Sequence, residues 1–181
     1  MAQLSGPRDV RPDAPPDGRL LDRRRCYEWQ DPAASADAAR AMAGLDFLRA
    51  IADGTLPAPP LARTLGFTVV SVDPGRVVFE FTPAEFHYNP IDSVHGGVYA
   101  VMCDSACGCA VHSMLPQGAY YTSQDLSVKF LRAITGSTGR LQCEGTVIHL
   151  GSRTALAQAR LTDVEGKLYA HATSSCLIFR P

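Results

Sequence analysis

The residues with the clearest chemical potential lie between positions 86 and 115, in the stretch FHYNPIDSVHGGVYAVMCDSACGCAVHSML. The stretch begins with polar residues and a His-Gly-Gly turn at 95–97, and it continues as a long apolar segment that contains one acid, Asp104. A charged group within a helix that is apolar on all sides costs free energy unless something uses it. The pattern therefore favours Asp104 as a catalytic carboxylate over its alternative, a buried structural acid held by hydrogen bonds.

The start of this predicted helix is a second candidate for chemistry. Backbone N–H groups at Gly96 and Gly97, together with the positive end of the helix dipole, favour a developing oxyanion. Glycine also lets a substrate carbonyl approach the backbone, although the same turn can simply allow the helix to begin. Asn89 lies in the preceding loop, where its amide can donate to that carbonyl or hold a water. We expect His95 to support the loop by hydrogen bonding rather than to act as an acid or base.

The spacing between these two groups predicts a homodimer. Asp104 follows Gly96 by eight residues, which is about 12 Å along a helix axis at roughly 1.5 Å per residue. A reacting atom has to lie about 3 Å from both the attacking group or base and the oxyanion donors. One helix therefore cannot supply both groups to one substrate. Two antiparallel copies can do so, with Asp104 of one chain beside Gly96 of the other.

The segments that follow and precede this helix predict an α+β domain, in which a curved antiparallel sheet wraps around it. Apolar, β-branched runs separated by short turns predict a hairpin and four further strands, at 65–82, 120–132, 139–150, 153–162 and 167–179. Within the run at 153–162, Ala155, Ala157 and Ala159 fall on one face. Such small side chains let the central helix lie close to the sheet.

The chain upstream of the hairpin predicts a tail and an arm. Residues 1–30 contain several prolines and few large apolar groups, so we expect a flexible tail. Asp31 followed by Pro32 predicts the start of a helix, and Gly54 its end. We therefore expect a helical arm and proline-rich linker over 31–60 and the main domain over 61–181.

Composition excludes several other classes of function. The net charge of −1 argues against nucleic acid or an anionic membrane as the main partner. No membrane span and no leader of the secretory type are evident, so we expect a cytoplasmic protein. The six cysteines include no Cys-x-x-Cys pair, which disfavours a zinc site.

At this point the residues match a family. Asn89 followed by VHGG at 94–97 and DSACG at 104–108 resembles the hotdog-fold acyl-CoA thioesterases, specifically the phenylacetate-degradation (PaaI-like) branch. The segment SQDLSVKFLR at 123–132 looks like that family's strand after the central helix. The resemblance covers residues 61–179 or so. The family commonly has glycine three residues before the histidine, where this chain has Asp92; aspartate tolerates left-handed backbone angles but adds a second acid.

The resemblance implies a chemical role for the matching residues. Asp104 would be the catalytic carboxylate, either attacking the thioester or activating water. The N–H of Gly96 would polarise the thioester carbonyl, with Asn89 and His95 assisting. Ser123 would come from the strand beside Asp104 and position the attacking water.

Four further residues are candidates for substrate binding. Gly97 belongs to the same turn as Gly96, and Thr122 is a hydroxyl adjacent to Ser123. In the family the nucleotide portion lies on the surface near basic residues, so Arg132 and Arg153 are candidates for phosphate contacts. Both arginines can equally be solvated strand ends.

The sequence thus predicts a thioesterase that hydrolyses an aromatic or medium-chain acyl-CoA to the free acid and CoA. The resemblance implies no metal or cofactor, and it implies a homotetramer built as a dimer of dimers. Two alternatives remain open. A hotdog dehydratase or hydratase would carry a catalytic histidine in a different loop pattern, and a non-catalytic acyl-CoA-binding or sensing protein would need no acid in the helix.

Overall fold

The structure is a computed structural model that describes residues 23–181. The part of the predicted tail at residues 1–22 therefore lies outside the described residues. The helices are α1 (Pro32–Ala41), α2 (Gly44–Ala52), α3 (Pro60–Leu65) and α4 (Gly96–His112). The strands are β1 (Phe67–Asp73), β2 (Arg76–Phe81), β3 (Tyr120–Ser123), β4 (Ser127–Phe130), β5 (Leu141–Leu150), β6 (Thr154–Asp163) and β7 (Leu168–Phe179). Across residues 23–181, no helix is long and apolar enough to cross a membrane.

The strands form one antiparallel sheet around α4. Their order is β1-β2-β5-β6-β7-β3, and β4 also pairs with β7. Helix α4 lies against β2, β5, β6 and β7, and the sheet does not close into a barrel. The predicted α+β architecture, a hotdog fold with a long central helix wrapped by an antiparallel sheet, is confirmed.

Small residues bring α4 close to the sheet. Ala155, Ala157 and Ala159 of β6 are all buried, as their alternation predicts. Gly145 of β5 allows the closest approach, because a Cβ atom built there would lie 2.0 Å from the carbonyl oxygen of Ala106 in α4. This contact fixes the height of the helix above the sheet.

The single helix that the sequence predicts after Asp31 is wrong, because the structure has two. The predicted cap is present, since the Asp31 carboxylate accepts the Ala33 N–H at 2.9 Å. However, α1 ends before an extended Met42, and the chain restarts at Gly44. The Gly44 N–H donates to the Leu115 carbonyl at 3.0 Å. Docking on the end of α4 therefore overrides the helical propensity of the alanine-rich segment.

The single strand predicted at 120–132 is also wrong, because it divides into β3 and β4. Between them the Asp125 carboxylate accepts the Ser175 N–H at 2.9 Å, and the Asp125 carbonyl accepts the Ser174 hydroxyl at 2.8 Å. A side chain thus replaces the backbone partner that a continuous strand would supply.

The described end of the predicted tail is in contact with the domain. The Arg25 guanidinium donates to the carbonyl of Arg63 at 2.9 Å and to that of Thr64. It also lies 3.9 Å from the centroid of the Phe86 ring. The division into a tail (1–30), an arm with linker (31–60) and a main domain (61–181) stays a prediction.

The close approach of α4 to β5 predicts a large stability effect at Gly145. We expect Gly145→Ala to lower the free energy of unfolding by about 3 kcal/mol, because the added methyl group collides with backbone that has nowhere to move. Gly136→Ala is the matched control, since its added Cβ would meet only the Tyr88 hydroxyl, at 3.4 Å. Urea denaturation of both variants measures the difference, and equal stability of the two would contradict the packing described here.

Candidate active site

Asp104 and Ser123 lie together, as the sequence predicts. Asp104 is half-buried on α4, and the Ser123 hydroxyl donates to its Oδ1 atom at 2.9 Å. Strand β3 pairs with β7 so that Ser123 lies opposite Cys176, which is fully buried. Because paired residues point to the same face of a sheet, this register turns Ser123 toward the helix.

Thr122 faces the other side of the sheet. It lies opposite Leu177. Tyr120, which lies two residues earlier and points to the same face, stacks on Phe179 with ring centroids 4.7 Å apart. Successive residues of a strand point to opposite faces, so only one of the two neighbouring hydroxyls reaches Asp104 from this strand. The structure therefore favours Ser123 over Thr122 as the partner of the carboxylate.

At the helix start, His95 uses its ring to cap α4. Its Nδ1 atom accepts the Gly97 N–H at 2.8 Å, so the ring proton of the neutral imidazole lies on Nε2. The expected supporting function of His95 thus has a specific geometry. Within residues 23–181, the Gly96 N–H donates to no protein acceptor. Of the two glycine N–H groups proposed for substrate, Gly96 is therefore the one left free.

Asn89 organises the loop that leads to the helix. Its Oδ1 atom accepts the N–H groups of Ile91 at 3.0 Å and Ser93 at 3.3 Å, and its Nδ2 group donates to the Ser93 hydroxyl at 3.1 Å. Asp92 in this loop has a φ of 62°, so aspartate takes the left-handed conformation, as expected. Its side chain is exposed.

Gly96 and Asp104 line different cavities. Gly96 borders a cavity of about 300 Å³ with Tyr99, Phe130 and Arg132. Asp104 borders two others, of about 690 Å³ and about 350 Å³. The separation that the eight-residue spacing predicts is thus present within one chain.

The larger Asp104 cavity is bordered by residues that sequence reasoning missed. Most come from residues 51–63 and from the hairpin, and two others are Cys109 of α4 and Tyr121 of β3. Burial, with a smaller contribution from the Asp104 charge, raises the pKa of the Cys109 thiol to about 12. Burial likewise raises the pKa of the Tyr121 hydroxyl well above its ordinary value. Both groups are therefore neutral beside the carboxylate. The sequence predicted a helical arm and a proline-rich linker here, without a cavity.

The two arginines lie at opposite ends of β7. The Arg132 guanidinium donates to the carbonyl of Leu168, the first residue of this strand, and Arg132 borders the Gly96 cavity. The Arg153 carbonyl accepts the N–H of Ile178 near the other end at 2.8 Å. Both side chains are exposed, and their contacts with CoA phosphates stay a prediction. In the part of the chain that the structure describes, no three His, Cys, Asp or Glu side chains are grouped to hold a metal ion.

The Ser123–Asp104 hydrogen bond predicts unequal effects at the two neighbouring hydroxyls. We expect Ser123→Ala to lower kcat about 10- to 100-fold, because a hydrogen bond to a charged group contributes about 1.5–3 kcal/mol. Thr122→Val should have the smaller effect, since its side chain lies on the outer face. Steady-state measurement of kcat for both variants tests this. An equal or larger loss of kcat in Thr122→Val would contradict Ser123 as the partner of Asp104.

Comparison with known proteins places this geometry in a family. A model described as the thioesterase superfamily matches residues 92–170, which run from the loop before α4 into β7. The X-ray structure of a thioesterase-superfamily protein is 30% identical, covers 74% of this chain and 97% of that chain, and superposes with a TM-score of 0.61. A phenylacetic acid degradation-related protein of Ralstonia eutropha JMP134 is 27% identical, covers 72% of this chain and 98% of that one, and gives a TM-score of 0.65.

A curated relative carries a named activity. It is the 1,4-dihydroxy-2-naphthoyl-CoA hydrolase of Listeria monocytogenes, which is 27% identical over 109 residues, or 60% of this chain and 86% of the relative. The region that the family model matches, residues 92–170, contains the whole of α4 and therefore Asp104. The chain belongs to the thioesterase superfamily, with a hotdog fold whose structural neighbours include phenylacetic acid degradation-related proteins.

Proposed function

We propose that this protein is a cytoplasmic acyl-CoA thioesterase that hydrolyses an aromatic or medium-chain acyl-CoA to the free acid and CoA. The observation that carries this proposal is the Asp104 carboxylate, which accepts a hydrogen bond from Ser123 at 2.9 Å and borders two cavities at once. A non-catalytic acyl-CoA-binding protein needs no such group. The family relative that is named for hydrolysis of an aromatic acyl-CoA supports the substrate class.

The hydrogen bond from Ser123 distinguishes the two oxygen atoms of the Asp104 carboxylate. Oδ1 accepts the Ser123 hydroxyl, whereas Oδ2 accepts no hydrogen bond from residues 23–181, so we assign the reaction to Oδ2. As a general base, it takes a proton from water while the water oxygen bonds to the thioester carbon. The C–S bond then breaks and the thiolate of CoA leaves with that proton, giving the acid and the free thiol.

The same atom can instead act as the nucleophile. Oδ2 then bonds to the carbonyl carbon and expels the CoA thiolate, forming a mixed anhydride that water hydrolyses in a second step. Both routes consume one water and release the same products. They also share one requirement, which is a donor for the negative charge that develops on the carbonyl oxygen.

We assign that donor to the Gly96 N–H of a second chain. In one chain Gly96 and Asp104 border different cavities, whereas an antiparallel pair of α4 helices brings them together. The active sites are thus shared across a homodimer, which we expect to pair again as a dimer of dimers. Asn89 and His95 support the Gly96 end by ordering its loop and its cap, and Arg132 and Arg153 are proposed as contacts for CoA phosphates.

An acyl-CoA panel tests the function and the carboxylate together. We expect wild-type protein to release free thiol from aromatic or medium-chain acyl-CoAs, and Asp104→Asn to lower kcat about 10²- to 10⁴-fold, the usual contribution of a positioned acid or base. Asp92→Asn is the matched control, because asparagine also accepts the left-handed backbone at this position; its kcat should stay close to wild type. Absence of hydrolysis by the wild type across the panel would overturn the function, and full activity of Asp104→Asn would overturn the site.

A further inference from the structure

We propose that the cover segment, defined as residues 51–62, forms one wall of the acyl-binding cavity and sets the size of the acyl group that fits. This inference rests on the thioesterase function proposed above. The cavity of about 690 Å³ that Asp104 borders is lined by the cover segment, the β1–β2 hairpin, α4 and Tyr121 of β3. Its volume lies within the range of roughly 300–1,000 Å³ that is usual for small-molecule sites.

The walls of this cavity are apolar on both sides. The cover segment contributes Ile51, Leu56 and Leu61, and the hairpin contributes Phe67, Val69 and Phe79. The rings of Phe67 and Phe79 are buried and meet edge to face, with centroids 5.6 Å apart. In contrast, the Leu61 side chain is 50% exposed. A leucine that is half exposed beside an apolar cavity is positioned to contact a ligand.

The position of Asp104 decides which cavity takes the acyl group. The thioester carbonyl has to lie about 3 Å from the reacting carboxylate, so the acyl chain begins at Asp104. The smaller cavity there, of about 350 Å³, is bordered by the polar residues Ser123, Gln124 and Asp125 and by the apolar residues Ala100, Val101 and Leu126. It suits the attacking water and the amide-containing arm of CoA. The larger apolar cavity, toward the cover segment, is left for the acyl chain.

Hydrogen bonds order the cover segment at both ends. At its far end, the Arg63 N–H donates to the Pro59 carbonyl at 3.2 Å. At its start, the Leu56 N–H donates to the Ala50 carbonyl at 2.8 Å, and the Asp53 carboxylate accepts the Thr55 N–H at 2.9 Å. Helix α2, which leads into it, is tied to β1 by the Arg49 guanidinium, which donates to the Val72 carbonyl at 3.3 Å. The cover segment is therefore held by hydrogen bonds within this chain.

Substitutions in this wall should therefore change the preferred length of the acyl chain. Burial of one methylene contributes a free energy equivalent to about a fourfold change in affinity. A larger side chain at position 61 removes space from the cavity, because Leu61 borders it. A smaller side chain there adds space. The two changes should thus move the preferred acyl length in opposite directions.

The experiment compares Leu61→Trp, Leu61→Ala and Val164→Trp with wild type. Val164 is 66% exposed in the β6–β7 turn and does not border this cavity. We expect the ratio of kcat/KM for dodecanoyl-CoA over butanoyl-CoA to fall in Leu61→Trp by about fourfold for each methylene that no longer fits. The ratio should rise in Leu61→Ala and match wild type in Val164→Trp. Thermal melts of all three variants confirm that they fold.

A second readout separates this inference from the proposed function. Free dodecanoate, octanoate and phenylacetate are added to each protein, and the shift in Tm is measured. A shift in wild type and Val164→Trp that is reduced in Leu61→Trp supports the cover segment as the wall, even if no acyl-CoA is hydrolysed. If wild type hydrolyses acyl-CoAs but both Leu61 variants keep its length profile and its Tm shifts, the inference is overturned while the thioesterase function stands. If the acids shift no Tm and no acyl-CoA is hydrolysed, both are overturned.

Discussion

The structure depends on how closely α4 can lie against the sheet. A Cβ atom on Gly145 would meet the Ala106 carbonyl oxygen at 2.0 Å, and one on Gly108 would meet the Tyr121 hydroxyl at 2.3 Å. Gly145 and the buried alanine face of β6 let the backbone of α4 approach the sheet, and Gly108 leaves room for the Tyr121 side chain. Asp104 lies on α4 between the helix start and these contacts. The packing of α4 therefore determines where its carboxylate lies relative to β3. The 2.9 Å bond from Ser123 is a consequence of this packing.

Much of this architecture could be predicted from local patterns. The alternation of alanines in β6 predicted which face of the strand meets the helix. The lone acid in an apolar segment indicated Asp104 as a candidate catalytic residue. The patterns failed where tertiary contacts replaced local ones. The arm divides at Met42 because Gly44 docks on the end of α4, and the strand after α4 divides because the Asp125 side chain takes the Ser175 N–H. In both cases the hydrogen-bond partner is distant in the sequence, so no local pattern could predict the break.

The sequence nominated residues for the candidate site but could not predict their arrangement. The pairing of Ser123 with Asp104, and the turn of Thr122 to the opposite face, depend on the register of β3 on β7, which hydrophobic periodicity alone does not determine. The large cavity was missed because its wall comes from the cover segment, whose prolines and leucines suggested only a linker. A cavity is a property of packed elements, and it has no pattern of its own in the chain.

At the start of α4, nearly every polar group of the preceding loop is hydrogen-bonded within the chain itself. Asn89 binds within the loop, and the His95 ring takes the Gly97 N–H. The Gly96 N–H remains, separated along α4 from the carboxylate that it would assist. We therefore propose that the reacting groups come from two chains.

Mixed dimers test that claim most directly. Gly96→Pro removes the N–H while keeping the helix start, because proline suits the first helical position and His95 already has a compatible ψ of 137°. Gly96→Ala, which keeps the N–H, is its control. Asp104→Ala and Gly96→Pro chains, each nearly inactive alone, should together recover about a quarter of wild-type activity after random pairing in a two-fold dimer. Activity that stays at the level of the single variants, although mixed dimers form, would contradict sites shared between chains.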